Sequence, residues 1–160
     1  MDKIKLAVFD IDGVLTDGNI YVDCEGKESK CFRLTEIDAL NAIERLGIKI
    51  AAITCEDTKI VDVFKRKANW SYFVRGCKDK LSELKRIIAD FVIDREEVCY
   101  IGDGKYDIAS IGYVGLGVCP SNAIQEAKDV ADAVLTGSGG GSCVYELYQI
   151  LRKMNAEMDC

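Results

Sequence analysis

The sequence contains no histidine and only one proline. The missing imidazole excludes mechanisms that need a histidine base, so any acid–base chemistry has to be carried out by carboxylates. With 49% hydrophobic and 30% charged residues, the composition is that of a globular protein and not of a disordered chain. At 160 residues, the chain is predicted to form one domain spanning residues 1–160.

Long apolar runs and runs of basic residues are also absent. The apolar stretches are no longer than a strand, and the N-terminus "MDKIKLAVFD" lacks the extended apolar core of a signal peptide. The net charge is −6 and the isoelectric point about 4.8, and no basic run is long enough to follow a phosphate backbone. We therefore predict a cytoplasmic protein with neither nucleic-acid nor membrane partners.

Cysteine is abundant, but its spacing does not indicate a metal or disulfide scaffold. The eight cysteines are Cys24, Cys31, Cys55, Cys77, Cys99, Cys119, Cys143 and Cys160. No two of them form a C-x-x-C motif, and there is no histidine to complete a zinc site. Several fall in apolar runs, where a reduced thiol behaves as a small hydrophobic residue. We expect these cysteines to be reduced.

Short apolar runs alternate with segments of helical period along the chain. The runs "KLAVF", "IKIAAI" and "VCYI" are typical of buried strands, whereas "TEIDALNAIERLG", "KDKLSELKRIIADF" and "CVYELYQILRKM" have helical spacing. Strands joined by helical crossovers of this length are parallel and right-handed. The sequence therefore predicts an α/β fold in which a parallel, Rossmann-like sheet lies between two layers of helices.

One segment interrupts this alternation directly after the first strand. Residues 19–34, "NIYVDCEGKESKCFRL", read as two short strands around a Glu25-Gly26 turn. They predict a β-hairpin that projects from the sheet.

Two carboxylates stand at the end of the first strand, in "VFDIDGVLTDG". Residues two apart in an extended segment point the same way, so Asp10 and Asp12 share one side of the chain at the sheet edge where α/β proteins bind ligands. Two carboxylates this close repel each other unless a cation or a proton lies between them. An all-oxygen site of this kind suits Mg²⁺. The alternative is an ordinary Asp-Gly turn at a strand exit.

Further polar residues follow other predicted strands. "YIGDGKYD" places Asp103 directly after a strand and Asp107 on the following turn, and "AAITCED" ends a strand with the hydroxyl of Thr54. Lys80 stands near the start of a helix, where the helix dipole disfavours a cation. It is therefore either a solvated lysine beside Asp79 or a residue held there for a function.

The four stretches "DIDGVLTDG", "ITCED", "GCKDKL" and "IGDGKYD" resemble the four sequential motifs of the haloacid dehalogenase superfamily of phosphohydrolases. The resemblance covers nearly the whole chain. It implies that Asp10 is the nucleophile, forming an aspartyl-phosphate, and that Asp12 protonates the leaving oxygen and then activates water. Thr54 and Lys80 would hold the phosphoryl oxygens.

The same resemblance implies a magnesium site. Asp10, the backbone carbonyl of Asp12, and Asp103 would ligate Mg²⁺, and Asp107 would support Lys80 or the metal. A carboxylate attacks a phosphoryl group only when the charge on that group is masked, and Mg²⁺ and Lys80 would supply that masking.

The gaps between Asp10 and Thr54 and between Lys80 and Asp103 are too short to hold a cap domain. A capless chain with this hairpin resembles the branch that dephosphorylates 3-deoxy-D-manno-octulosonate 8-phosphate or nonulosonate 9-phosphates. Members of that branch are homotetramers in which a C-terminal glycine-rich segment of one subunit closes the site of the next. Here that segment and its helix span about residues 137–154.

The resemblance also suggests which residues contact the substrate, a small phosphorylated sugar acid. These are Glu56, Gly13 and Gly140. Where the family has Thr-Gly-Arg or Thr-Gly-Glu, this chain has Thr54-Cys55-Glu56, and the glutamate favours a nine-carbon acid. Other departures from the family pattern are Glu36-Ile37 for Asp-Gly, Gly104 for an aspartate, and Tyr145 for an arginine.

Three alternatives remain open from the sequence. One is a non-catalytic oligomerisation module related to the companion domain of acylneuraminate cytidylyltransferases, and another is a phosphatase for an unrelated small phosphate ester. The third is a nucleotide-binding or receiver domain, which the sequence disfavours because no G-x-G-x-x-G follows the first strand. The glycine-rich "GSGGGS" comes after the last strand instead, where it is either an intersubunit segment or a flexible loop.

Overall fold

A computed structural model of the protein describes residues 3–158. In chain order the strands are β1 (Leu6–Phe9), β2 (Tyr21–Val22), β3 (Glu28–Ser29), β4 (Lys49–Ile53), β5 (Tyr72–Val74), β6 (Val98–Ile101), β7 (Leu116–Cys119) and β8 (Ala133–Val134). The helices are α1 (Leu34–Arg45), α2 (Val61–Lys65), α3 (Lys80–Phe91), α4 (Ile108–Ile111), α5 (Gln125–Val130) and α6 (Cys143–Met158).

Six strands form one parallel sheet in the order β5-β4-β1-β6-β7-β8. The central strand β1 pairs with β4 on one side and β6 on the other, so that Val8 lies opposite both Ala51 and Tyr100. This placement brings the carboxyl ends of three buried strands side by side.

The alternating side chains of β1 enter two separate cores, one on each face of the sheet. Phe9 packs in one core with side chains of α1 and α6, and Val8 packs in the other with side chains of α3, α4 and α5. The sheet is thus covered on both faces, which explains why its strands read as continuous apolar runs. The predicted three-layer α/β fold is confirmed, and residues 3–158 contain no cap domain.

The predicted hairpin is present between β1 and α1. Its strands β2 and β3 pair antiparallel, with Tyr21 opposite Ser29. Asp23 organises the turn, since its carboxylate accepts hydrogen bonds from the N–H groups of Glu25 and Lys27. Because α1 already begins at Leu34, the hairpin ends slightly before the boundary expected from the sequence.

The glycine-rich segment before α6 packs on the loop that follows β1 in the same chain. The N–H of Gly140 donates to the carbonyl of Val14 at 2.9 Å. A Cβ at Gly139 would lie only 1.8 Å from the carbonyl oxygen of Gly13, so no side chain fits there. The segment is therefore a fixed part of the loop's packing.

Glu36 connects α1 to the start of α6. Its side chain is fully buried, and Oε2 accepts a hydrogen bond from the N–H of Val144 at 2.7 Å, in the first turn of α6. A carboxylate at a helix N-terminus satisfies a free N–H group and complements the helix dipole. Glu36, which departs from the family pattern, thus caps the N-terminus of α6 in this chain.

The described cysteines are free thiols in the structure. Cys160 lies outside the described residues. None of the helices within residues 3–158 combines the length and apolarity needed to cross a bilayer.

Val92, which ends α3, is the one described residue other than glycine with a positive φ (φ 54°, ψ 50°). Its side chain is 89% exposed and so gains little from packing. A β-branched residue in the left-handed region costs on the order of 1–3 kcal/mol. We therefore expect Val92→Gly to raise the free energy of unfolding by about 1 kcal/mol in urea titrations.

Val92→Ala is the matched control for this prediction. It removes the β-branch but keeps a Cβ, so its gain in stability should be smaller than that of Val92→Gly. A glycine variant no more stable than the wild type would show that the backbone here is not strained.

Candidate active site

A cavity of about 220 Å³ opens at the carboxyl ends of β1, β4 and β6. Each side chain that the sequence analysis assigned to catalysis or metal binding lines it: Asp10, Asp12, Thr54, Lys80, Asp103 and Asp107. A larger cavity of about 470 Å³ lies between α1 and α6, but it contains none of these groups. The smaller cavity is therefore the candidate active site.

Lys80 is the buried cation of this site. It is the first residue of α3, and Asp79 before it caps the helix by accepting from the N–H of Ser82. The Lys80 Nζ lies 2.9 Å from Asp10 Oδ2 and 2.7 Å from Asp107 Oδ1. Burial alone would lower the pKa of Lys80, but attraction to these two carboxylates outweighs burial and raises it. The ion pairs explain a lysine where the helix dipole disfavours one.

Asp107 accepts hydrogen bonds from four groups around the site. Its Oδ1 accepts hydrogen bonds from Lys80 and from the hydroxyl of Tyr100, each at 2.7 Å. Its Oδ2 accepts from the N–H groups of Gly104 and Asp103 at 3.0 and 3.2 Å. With four donors on its two oxygens, Asp107 shapes the loop after β6 and holds Lys80.

Tyr100 was missed by the sequence analysis. It is fully buried in β6 and reads there as one more apolar residue of a strand. Its hydroxyl donates a hydrogen bond to Asp107, because the turn after β6 brings that carboxylate next to the strand. The sole sequence signal is a tyrosine inside a strand that leads into an acidic motif.

The residues present fit a divalent cation. Carboxylate oxygens of Asp10, Asp103 and Asp107 lie within 4.8 Å of one another. Because Asp107 is already saturated with donors, Asp10 and Asp103 are the carboxylates left to ligate an ion. An all-oxygen set of this kind suits Mg²⁺.

The carboxylates show the electrostatic cost of this arrangement. Burial and the charge of Asp107 raise the pKa of Asp10 well above its usual range, although Lys80 opposes the shift. Burial and Asp107 likewise raise the pKa of Asp103 to about 6. Both groups therefore favour a nearby proton or cation.

Asp12 contacts a lysine that the sequence analysis did not single out. Lys30, at the end of the hairpin, places Nζ 2.6 Å from Asp12 Oδ1 and also forms an ion pair with Glu56 Oε2. Burial raises the pKa of Asp12 and Lys30 opposes this rise. The lysine was missed because its contact depends on how the hairpin folds back over the site.

The three predicted substrate-contacting residues do not line the cavity. Glu56 instead pairs with Lys30, beside Asp12. Gly13 has φ +80°, and a Cβ there would lie 1.8 Å from Asp103 Oδ2, so this glycine makes room for the carboxylate. Gly140 packs against Asp17, in the loop after β1.

Comparison with known proteins shows the family of this chain. The family model of haloacid dehalogenase-like hydrolases matches residues 24–139. A 3-deoxy-D-manno-octulosonate 8-phosphate phosphatase of Escherichia coli is 28% identical over 158 residues, which are 99% of this chain and 84% of that protein.

Solved structures of proteins with the same name are also similar. One from Moraxella catarrhalis, in complex with a magnesium ion, a phosphate ion and a KDO molecule, has a TM-score of 0.91 and 30% identity, covering 98% of this chain and 90% of that one. One from Yersinia pestis has a TM-score of 0.90 and 27% identity, covering 98% and 85%.

This chain belongs to the haloacid dehalogenase-like hydrolases. The resemblance drawn from the four motifs is thereby confirmed. So is the prediction of a capless phosphomonoesterase of this superfamily, which the family match and the phosphatase relatives support together.

If the carboxylate cluster binds a divalent cation, Gly13→Ala should weaken that binding, because the new Cβ would displace Asp103. Losses of about 10- to 100-fold in metal affinity are typical when a ligand's support is disturbed. Isothermal titration calorimetry would measure the affinity. Gly26→Ala is the matched control, since Gly26 also has φ +80° but nothing lies within 4 Å of its Cβ position. Equal affinities in the two variants would contradict the role assigned to Gly13.

The metal-free protein should lose stability as the pH rises from about 4 through about 6. The pKa of Asp103 is higher in the folded state (about 6) than its ordinary value of 3.8, so folding favours the protonated form. That contribution is complete at low pH and is lost as Asp103 ionises. Chemical denaturation across this range, with Asp103→Asn for comparison, measures the effect. The asparagine variant should lack this component, and identical pH profiles would refute the assignment.

Proposed function

We propose that the protein is a Mg²⁺-dependent phosphatase that hydrolyses the phosphomonoester of a 3-deoxy-2-keto sugar acid through an aspartyl-phosphate on Asp10. The observation that carries the proposal is the contact of Asp10 with a buried, doubly paired Lys80, next to Asp103. This arrangement supports the proposal that a nucleophile, a fixed cation and a metal ligand meet at one point of the sheet edge.

Asp10, Asp103 and the backbone carbonyl of Asp12 would hold Mg²⁺, which when bound neutralises charge on the phosphoryl oxygens. The Lys80 ammonium has three protons, of which two are directed at Asp10 and Asp107. The third is available to a phosphoryl oxygen, as is the hydroxyl of Thr54. These groups are fixed before substrate binds, so they stabilise the transition state without reorganising.

In the first half-reaction, a carboxylate oxygen of Asp10 attacks phosphorus, and the bond from phosphorus to the ester oxygen breaks. Asp12 gives its proton to that oxygen, which leaves as the alcohol of the sugar acid. The product on the enzyme is an acyl phosphate of Asp10.

In the second half-reaction, Asp12 is ionised and removes a proton from water. The water oxygen attacks phosphorus, the bond to Asp10 breaks, and inorganic phosphate is released with Asp10 again a carboxylate. One carboxyl group thus serves as acid and then as base, which suits the raised pKa of Asp12.

The relatives support a sugar-acid phosphate as the substrate, because several are 3-deoxy-D-manno-octulosonate 8-phosphate phosphatases. The family pattern at Glu56 favours a nonulosonate 9-phosphate over the octulosonate ester. We infer that one of these two classes is the substrate.

A homotetramer is part of the proposal. The hairpin exposes Ile20, Tyr21 and Val22, which are 53%, 48% and 62% accessible. A two-stranded hairpin with unpaired edges and exposed apolar side chains is marginal by itself and favours association. Contact between hairpins of several subunits would bury these residues.

Phosphate release from purified protein tests the function. With Mg²⁺ and a panel of octulosonate 8-phosphate, nonulosonate 9-phosphates and unrelated sugar phosphates, we expect strong turnover of one sugar acid. Asp10→Asn should lower kcat by on the order of 10⁴-fold or more, because no covalent intermediate can form.

Removal of Mg²⁺ with a chelator should abolish the same activity. Asp129→Asn, at an exposed position of α5 that does not line the cavity, is the control substitution. Turnover of unrelated esters alone would refute the sugar-acid assignment. No turnover of any ester would favour the non-catalytic module.

A further inference from the structure

Lys30 is a buried cation on an otherwise exposed hairpin. Its side chain is only 4% accessible, whereas the flanking residues Ser29 and Cys31 are exposed. Burying the long side chain of a lysine is unfavourable unless its ammonium group is paired. The structure shows what pairs it, which is a carboxylate on each side.

The two carboxylates come from different strand exits. Asp12 follows β1 and Glu56 follows β4, and the two carboxylates are close enough for each to shift the pKa of the other. Without a cation between them they would repel and turn apart. Lys30 contacts both, so it holds Asp12 and Glu56 together at the side of the cavity.

The anchoring of Asp12 distinguishes its two oxygens. Lys30 donates to Oδ1 at 2.6 Å, and the hydroxyl of Thr16 approaches the same oxygen at 3.5 Å. Glu56 is itself fixed, because the hydroxyl of Thr58 donates to Oε1 at 2.6 Å. Oδ2 of Asp12 is therefore the oxygen left for proton transfer.

We propose that Lys30 is a positioning residue for the acid–base carboxylate: it fixes Asp12 Oδ1 against Glu56 and so directs Oδ2 toward the reacting ester or water. This role rests on the proposed phosphatase mechanism. In this arrangement Glu56 acts on Asp12 through Lys30, as the second anchor of the ammonium group.

The two half-reactions allow a sharp test with p-nitrophenyl phosphate. Its p-nitrophenolate leaves without needing a proton, so the first half-reaction is insensitive to the placement of Asp12. The second half-reaction still needs Asp12 to activate water. Loss of the positioning contact should therefore slow turnover without slowing the first release of p-nitrophenolate.

Lys30→Met removes the ammonium group and keeps most of the side-chain length. In stopped-flow experiments with the Mg²⁺-loaded enzyme, we expect a burst of about one p-nitrophenolate per active site. The burst rate should lie within about threefold of the wild-type first-turnover rate. The following steady-state rate should be about 100-fold below that of the wild type, the range typical of acid–base contributions.

Lys27→Met is the matched control, since Lys27 is an exposed lysine of the same hairpin. It should leave both phases unchanged. Glu56→Gln is a second variant that keeps Lys30 but weakens its anchor, and it should produce a smaller loss in the same phase. Thermal unfolding of each variant establishes that it is folded.

Two outcomes would overturn the role of Lys30 while leaving the proposed function intact. One is a wild-type steady-state rate in both Lys30→Met and Glu56→Gln. The other is an equal loss in burst and steady-state rates, which would indicate general damage to the site. A wild-type enzyme that releases nothing from any phosphate ester would instead overturn the proposed function, and this role with it.

Discussion

The ammonium group of Lys80 joins three separate parts of the chain at one point. Asp10 lies at the exit of β1, Asp107 on the turn after β6, and Lys80 itself at the start of α3. Each side chain is buried, so removing the cation would leave two carboxylates unpaired, at a cost of about 3–5 kcal/mol. The contact that brings these candidate catalytic groups together is therefore also the one that offsets the cost of burying their charges.

The edge of the sheet nevertheless carries more negative than positive charge. The site contains five carboxylates, those of Asp10, Asp12, Glu56, Asp103 and Asp107, and two ammonium groups, those of Lys30 and Lys80. The excess lies on the side of Asp10 and Asp103. Such an imbalance lowers the stability of the metal-free protein and increases its affinity for a divalent cation, because each bound cation relieves the repulsion.

Much of this organisation could be predicted from the sequence, because it depends on rules that act along the chain. Strand-length apolar runs separated by helical segments predict a parallel sheet, and parallel strands place Asp10, Thr54 and Asp103 at a common edge. The missing parts are contacts between distant segments. The contact between Lys30 and Asp12 depends on the path of the hairpin. Tyr100 is indistinguishable from a core residue in the sequence, because its hydrogen bond to Asp107 depends on the conformation of the turn after β6. That Gly13 contacts substrate stays a prediction from the family pattern, whereas its close approach to Asp103 joins distant segments and could not be predicted from the sequence.

The glycine-rich segment before α6 packs closely against the loop that follows β1. Gly139 lies against Gly13, which lies against the carboxylate of Asp103, with no room for a Cβ at either glycine. During translation, the loop after β1 emerges from the ribosome long before residues 139 and 140 are available to brace it. The carboxylates of the candidate site are thus all synthesised before the segment that braces this loop. A nascent chain stalled before this segment would hold every one of these side chains and still lack the packing that fixes Gly13 beside Asp103.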